Sequence, residues 1–144
     1  TSRINKQPYG RVVQVANIDG IPVKMHRMIM GYPTERIDHK DCDTLNNQRS
    51  NLRLCDMSQN GANRGLNKNN TVGHKGVTHM KTKVHEGRKK KFFAHIKVNY
   101  KNISLGYYLT LEQAAMAYNI AALQYFGEFA NLNQIENNGQ YQLF

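Results

Sequence analysis

The chain has 144 residues, with 20 Lys/Arg against 10 Asp/Glu, a formal charge of +10 and a pI near 9.8. That balance favours a polyanionic partner, nucleic acid before any other, and the absence of an apolar run of about 18 residues argues against a membrane. The length gives room for one medium domain or two small ones, and the opening Thr1-Ser2-Arg3 has neither a signal-peptide stretch nor an initiator Met, which is compatible with a processed chain or a fragment.

Taken in chain order, Tyr9–Val15 and Ile21–Met25 are β-branched-rich runs separated by Asn17-Ile18-Asp19-Gly20, a hairpin signal. His26-Arg27-Met28-Ile29-Met30 follows, then a turn around Gly31 and Pro33. Ile37–His39 and Leu52–Cys55 read as short strands joined by a polar loop rich in Asp and Asn. Asp56-x-x-Gln59 has the form of a capping box, predicting a helix from about Met57 to Arg64 that carries Asn60, Asn63 and Arg64 on one face. Residues 65–73 lack periodicity and read as a linker in which Lys68 can meet phosphate.

Beyond this joint, Phe92–Tyr100 alternates, with Ala94, Ile96 and Val98 on one face and Phe93, His95, Lys97 and Asn99 on the other. Gly76–Lys83 and Asn102–Tyr108 read as flanking strands. Thr110-Leu111-Glu112-Gln113 opens a helix expected to run to Phe126 and stop at Gly127. Its Ala114, Ala115, Ala117, Ala121 and Ala122 are small enough for close approach to a sheet, with Tyr118 and Tyr125 filling the edges. Charge is uneven here: nine Lys/Arg stand against Glu86 alone between Lys75 and Lys101, a net +8, and Asn102 to the end carries three Glu and no Lys or Arg. The expected boundaries are 1–64, a linker at 65–73, a second module at 74–134 and a tail at 135–144, in an α+β fold.

The residues that carry chemistry are Asp38-His39, Asn51 and Asn60. A carboxylate beside an imidazole, with carboxamides brought back by a turn, can hold a hard cation and activate a water. His39 is the natural base because imidazole titrates near neutrality. Asp38 and Asn60 supply the oxygen ligands that suit Mg²⁺ (or Mn²⁺). Cys42 and Cys55, the two cysteines, form no Cys-x-x-Cys, so no structural zinc is expected. Their thiols are expected to stay reduced in a cytoplasmic setting.

The string Asp38-His39…Asn46-Asn47…Asn51-Leu52-Arg53, with Asn60 nine positions on, resembles the HNH endonuclease motif of intron- and phage-borne type, over about His26 to Asn63. The resemblance implies a ββα-metal unit in which Asn51 braces the loop and orients His39. Asp41 and Asp43 read as turn formers ahead of recruiting the metal, and His26 as a packing residue, or a support behind the ligands, ahead of a ligand. Arg53, Asn63 and Arg64 become candidates for DNA contact.

The second module is similar to the APETALA2-type DNA-binding domain from Gly73 to Asn133. The resemblance is carried by Gly76-Val77, Ala94-x-Ile96, Leu105-Gly106-Tyr107-Tyr108, Glu112-x-Ala114-Ala115-x-Ala117-Tyr118, Ala121-Ala122, Phe126-Gly127 and Ala130-x-Leu132-Asn133. It implies a three-stranded antiparallel sheet backed by one helix and laid in the major groove. Its contact positions fall on Lys75, Thr78, His95, Lys97, Asn102 and Ser104. Arg is absent from all six, so bidentate guanine readout is largely missing. Lys81, Lys83, Arg88, Lys89, Lys90 and Lys91 are expected to meet phosphate.

Together the two resemblances imply a nicking or homing DNA endonuclease encoded by a phage or mobile element. It would act on double-stranded DNA as a monomer or weak dimer, with no membrane and no small-molecule substrate. The other reading from the residues is a non-catalytic DNA-binding protein with a vestigial HNH unit. RNA is the weaker partner, since no aromatic stacking platform stands out in the sequence.

Overall fold

A computed structural model describes residues 2–6, 12–80 and 91–136. Two compact units divide the chain, residues 1–63 and residues 64–144. Both mix strands with helices, which gives the expected α+β class.

In the first unit, β1 (Ser2–Lys6), β2 (Val12–Ile18) and β3 (Ile21–Lys24) form an antiparallel sheet in the order β1-β2-β3. Asp19 and Gly20, both at positive φ (49° and 82°), make the two-residue turn between β2 and β3 that matches the twist of a hairpin. The sequence reading missed β1, whose Ser-Arg-Ile-Asn-Lys offers a single β-branched residue. The strand instead pairs through its backbone, Ser2 opposite Ala16 to Lys6 opposite Val12. The Tyr9–Arg11 part of the expected strand lies outside the described residues.

Met25–Ile29 closes into a short helix, α1. Two arginines satisfy carbonyls around its end: Arg49 Nη1 donates to Ile29 O (2.7 Å), and Arg27 Nη2 donates to Pro33 O (2.6 Å). Then β4 (Arg36–His39) and β5 (Leu52–Cys55) pair antiparallel, with Asp38 opposite Arg53 and His39 opposite Leu52. The helix α2 (Met57–Asn63) begins at the expected capping box. Gln59 N donates to Asp56 Oδ1 (2.7 Å) and Asp56 N donates to Gln59 Oε1 (2.9 Å). Because α2 ends at Asn63, the expected shared face holds Asn60 and Asn63 but not Arg64.

In the second unit, β6 (Val77–His79), β7 (Phe92–Val98) and β8 (Lys101–Tyr108) form an antiparallel sheet, and α3 (Leu111–Phe126) packs on one side of it. The alanine row has the predicted effect. Ala114 and Ala115 of α3 are fully buried with Ala94 and Val77 of the sheet, and Val72, Phe92, Leu105 and Tyr108 pack around them. Thr110 caps the helix by accepting from Gln113 N (3.2 Å), and Gly127 at φ 51° ends it. Tyr118 is buried as expected, whereas Tyr125 is 47% exposed and fills no edge.

Gly76 is fixed by sterics. At φ 69°, a Cβ there would fall 2.1 Å from Tyr118 Cδ2 and 2.5 Å from His95 O. Asn133 then fastens the two ends of the unit together: its Oδ1 accepts from Lys75 N (2.6 Å) and its Nδ2 donates to Lys75 O (3.0 Å). The nominal linker also has local order near its end, where Asn70 Oδ1 accepts from Val72 N and Gly73 N. No helix among the described residues is long and apolar enough to cross a membrane.

Candidate active site

The β4–β5 pair decides which side chains meet. Residues directly opposite in an antiparallel pair share a face, so Asp38 meets Arg53 while His39 turns the other way. Arg53 Nε donates to Asp38 Oδ2 (2.9 Å), and Arg53 Nη2 lies 2.9 Å from the same oxygen. Their side chains are 11% and 7% exposed, so this is a largely buried ion pair. A surface arginine awaiting a phosphate would look different, and Arg53 departs from that expectation. The last residue of α2 completes the arrangement. Asn63 Nδ2 sits 3.1 Å from Asp38 Oδ1, 3.0 Å from Oδ2 and 2.8 Å from His39 O. Buried in this way, Asn63 joins α2 to β4 and does not face outward as expected of a DNA contact.

On the opposite face, His39 Nε2 is 3.1 Å from Asn47 Oδ1. The His26 ring stands edge-on to the His39 ring, with centroids 5.5 Å apart at 83°, which fits a packing role. Among the described residues, Asn51 makes no hydrogen bond to His39. It braces the loop: Nδ2 donates to Asp41 Oδ1 and to Asn46 O (both 2.9 Å), and Oδ1 accepts from Asp41 N (3.2 Å). Asn47, within the quoted motif, is therefore the residue on the imidazole, which sequence reading had assigned to Asn51. Only the loop's folded path could have revealed this.

Asp41 is the acceptor around which the loop closes. Asn46 Nδ2 (2.6 Å), Asn51 Nδ2 and Asp43 N all donate to its carboxylate. Those bonds, that from Asn46 foremost, hold it below the ordinary carboxylate pKa. Asp43 in turn caps Leu45 N at 2.9 Å. Cys42, at φ 64°, directs Sγ to Asn63 O (2.9 Å). Burial raises the Cys55 thiol pKa, so that sulfur stays protonated.

Asn60 lies half-buried on α2, one turn before Asn63, and its carboxamide makes no hydrogen bond among the described residues. Among the described residues, no three His, Cys, Asp or Glu side chains gather into a metal-binding cluster. A cation here would therefore rely on carboxylate, carboxamide, water and substrate oxygens. The donor chemistry permits this. Among the described residues, Asp38 Oδ2 takes three of the four close nitrogen contacts to the carboxylate, and Oδ1 takes one. An oxygen with one bond keeps a lone pair for a hard cation.

In the second unit, strand register sorts the expected contact residues. Thr78 lies opposite Phe93, Phe93 opposite Tyr107, His95 opposite Ser104 and Lys97 opposite Asn102. Thr78, His95, Lys97, Asn102 and Ser104 thus share the outer face, away from the buried Ala94 and Ile96. Lys75 precedes β6, and its Nζ donates to Arg64 O (2.6 Å). Lys68, Arg64 and Lys91 are exposed, and Lys81, Lys83, Arg88, Lys89 and Lys90 lie outside the described residues.

Residues 24–62 match the family model of HNH endonucleases, a segment spanning α1, β4, the loop, β5 and nearly all of α2. An uncharacterized HNH endonuclease of Acanthamoeba polyphaga mimivirus is 38% identical over 102 residues, covering 69% of this chain and 48% of that protein. The chain therefore spans about half the length of this relative. No solved structure matches it. The expected HNH resemblance is met over residues 24–62.

Proposed function

We propose that this chain is a metal-dependent DNA endonuclease of the nicking or homing type, its first unit cutting and its second holding the duplex. One observation carries the reading: the segment matching HNH endonucleases is also the one that folds strand–loop–strand–helix around Asp38 and His39. The named function of the viral relative supports a nuclease, that is, a phosphodiester hydrolase.

Hydrolysis needs a water in line with the scissile bond, a base to take its proton, and relief of charge on the departing 3′-oxygen. His39 is the base in this proposal. With Asn47 Oδ1 accepting from Nε2–H, the imidazole proton is held on Nε2 and Nδ1 keeps the lone pair that receives a proton. Asn51 contributes by keeping the loop, and Asn47 with it, in place. Asp38 and Asn60 are the side chains that would hold Mg²⁺ or Mn²⁺. When bound, the ion would offset charge developing on the phosphate and leaving oxygen. Arg53 and Asn63 fix the Asp38 carboxylate in direction.

The second unit is assigned duplex binding on its resemblance to the APETALA2-type domain and on the segregation of Thr78, His95, Lys97, Asn102 and Ser104 to one sheet face. Phosphate contact by the +8 segment would make binding steeply salt-dependent. The alternative, a DNA-binding protein with a vestigial HNH unit, draws on how fully Asp38 is already engaged by Arg53 and Asn63. Relaxation of supercoiled plasmid separates the two. Nicking with Mg²⁺ that stops in EDTA and in His39→Ala supports the endonuclease. Equal relaxation by His39→Ala would remove His39 from the mechanism, and binding without scission in any divalent metal would leave the vestigial reading.

A further inference from the structure

A β-bulge builds an aromatic ridge on the outer sheet face. Ser104 pairs with His95 and Gly106 pairs with Ala94, which leaves Leu105 as an extra residue in β8. Gly106 at φ 113° accommodates the irregularity. Leu105 joins the buried side, and the extra residue shifts the alternation so that Tyr107 emerges outside, opposite Phe93. Phe93 is flanked by Tyr107 at 4.9 Å between ring centroids and by His95 at 5.7 Å, the latter nearly parallel at 14°. Thr78 adds a methyl on the other side of Phe93.

This ridge is apolar within a face that carries one lysine and no carboxylate: its outward residues are Thr78, Phe93, His95, Lys97, Asn102, Ser104 and Tyr107, and Lys97 is exposed. His95 Nδ1 is buried without a hydrogen-bond partner among the described residues, leaving Nε2 as the polar atom this ring can offer. The face therefore suits a polyanion that presents apolar groups along with hydrogen-bonding edges. Duplex DNA does so in its major groove, where each thymine carries a C5 methyl. Stacking of an unpaired base needs an open ring face; Phe93 already has His95 and Tyr107 as ring neighbours, and the row of Thr78, Phe93 and Tyr107 offers apolar surface to a methyl.

We propose that Phe93, with Tyr107 and Thr78, contacts thymine methyls in the major groove, giving the second unit a preference for A·T-containing sites where guanine-reading arginines are absent. The inference rests on the assignment of this sheet to duplex binding. Fluorescence anisotropy of the full chain, in EDTA to prevent cutting, tests it with short alternating A·T duplexes containing either thymine or deoxyuridine. The wild type should bind the thymine duplex more tightly, by about fourfold for each methyl buried. Phe93→Ala, with Phe93→Leu as the variant that keeps an apolar group, should lose that discrimination in the alanine form and retain part of it as leucine.

Failure to bind either duplex would overturn the duplex-binding assignment and this inference with it. Equal affinity of the wild type for thymine and deoxyuridine duplexes would overturn this inference alone. So would discrimination that persists undiminished in Phe93→Ala. Tighter binding of single-stranded oligothymidine than of duplex, lost in Phe93→Ala, would replace methyl contact with base stacking.

Discussion

Arg53→Met separates two roles for one arginine. As a phosphate contact, Arg53 would be dispensable for folding, and its loss would lower the slope of log affinity against log salt by about one. As the partner of Asp38, it offsets a carboxylate whose side chain is 7% exposed. Breaking a buried pair by removing one member costs about 3–5 kcal/mol, because the remaining charge is left uncompensated. Asn63 keeps donating to both Asp38 oxygens, and a hydrogen bond to a charged group is worth about 1.5–3 kcal/mol. The expected loss is therefore at the low end, about 3 kcal/mol. Thermal denaturation should show it as a fall of roughly 12–24 °C for a unit this small. Asp38→Asn in the Arg53→Met background removes the stranded charge and should restore part of the loss. The cycle of single and double variants then gives a coupling of about 1–3 kcal/mol. A cost below about 0.5 kcal/mol for Arg53→Met, with additive double substitution, would refute the pairing argument and return Arg53 to the phosphate contacts.

Three other outcomes follow from the geometry. Asn47→Ala should leave thermal stability within about 1 kcal/mol yet slow plasmid nicking, since it removes the hydrogen-bond partner of His39 Nε2; an undiminished nicking rate would remove Asn47 from the proposed positioning role. Gly76→Ala should lower unfolding free energy in urea by about 2–4 kcal/mol, combining a clash with Tyr118 and His95 O with the cost of φ 69°, and a loss under about 1 kcal/mol would mean the backbone yields there. Burial raises the Tyr118 phenol pKa from 10.0 to about 12; the unfolded phenol ionises first, so stability should fall as pH climbs from 10 towards 12, and Tyr118→Phe should flatten that fall in alkaline titrations followed by circular dichroism.

Much of this fold could be read from residues that act locally. The Asp19-Gly20 turn, the Asp56–Gln59 box, the Thr110 cap and the alanine row all depend on neighbours within a few positions, so sequence spacing carries them. β1 could not be read that way, because its pairing depends on β2 and its own composition says little. Tyr107 is the sharper case. Strict alternation from Asn102 and Ser104 puts it inside, and a single extra residue at Leu105 reverses that. At the candidate site, Asp38, His39 and the Asn/Asp loop stood out by type and spacing. The Asp38–Arg53 pairing was also latent in the sequence: once Ile37–His39 and Leu52–Cys55 pair antiparallel around their loop, opposite charges face one another. The inward turn of Asn63 depends on where α2 stops, and no spacing rule fixes helix ends to one residue.

Asp38 holds the unit together, and that constrains how its proposed metal role can be tested. Its carboxylate ties β5 through Arg53 and α2 through Asn63, so any substitution of Asp38 disturbs the same contacts that shape the unit. Lost nicking in Asp38→Ala would then report folding as much as metal binding. Asn60 has no such entanglement, since its carboxamide makes no hydrogen bond among the described residues and its backbone N–H is satisfied by Asp56 O at 3.0 Å. Alanine at position 60 also favours the helix. Asn60→Ala should therefore fold as stably as the parent while requiring more Mg²⁺ for half-maximal nicking. Unchanged metal dependence in that variant would remove Asn60 from the ligand set and leave Asp38 Oδ1 as the sole side-chain anchor.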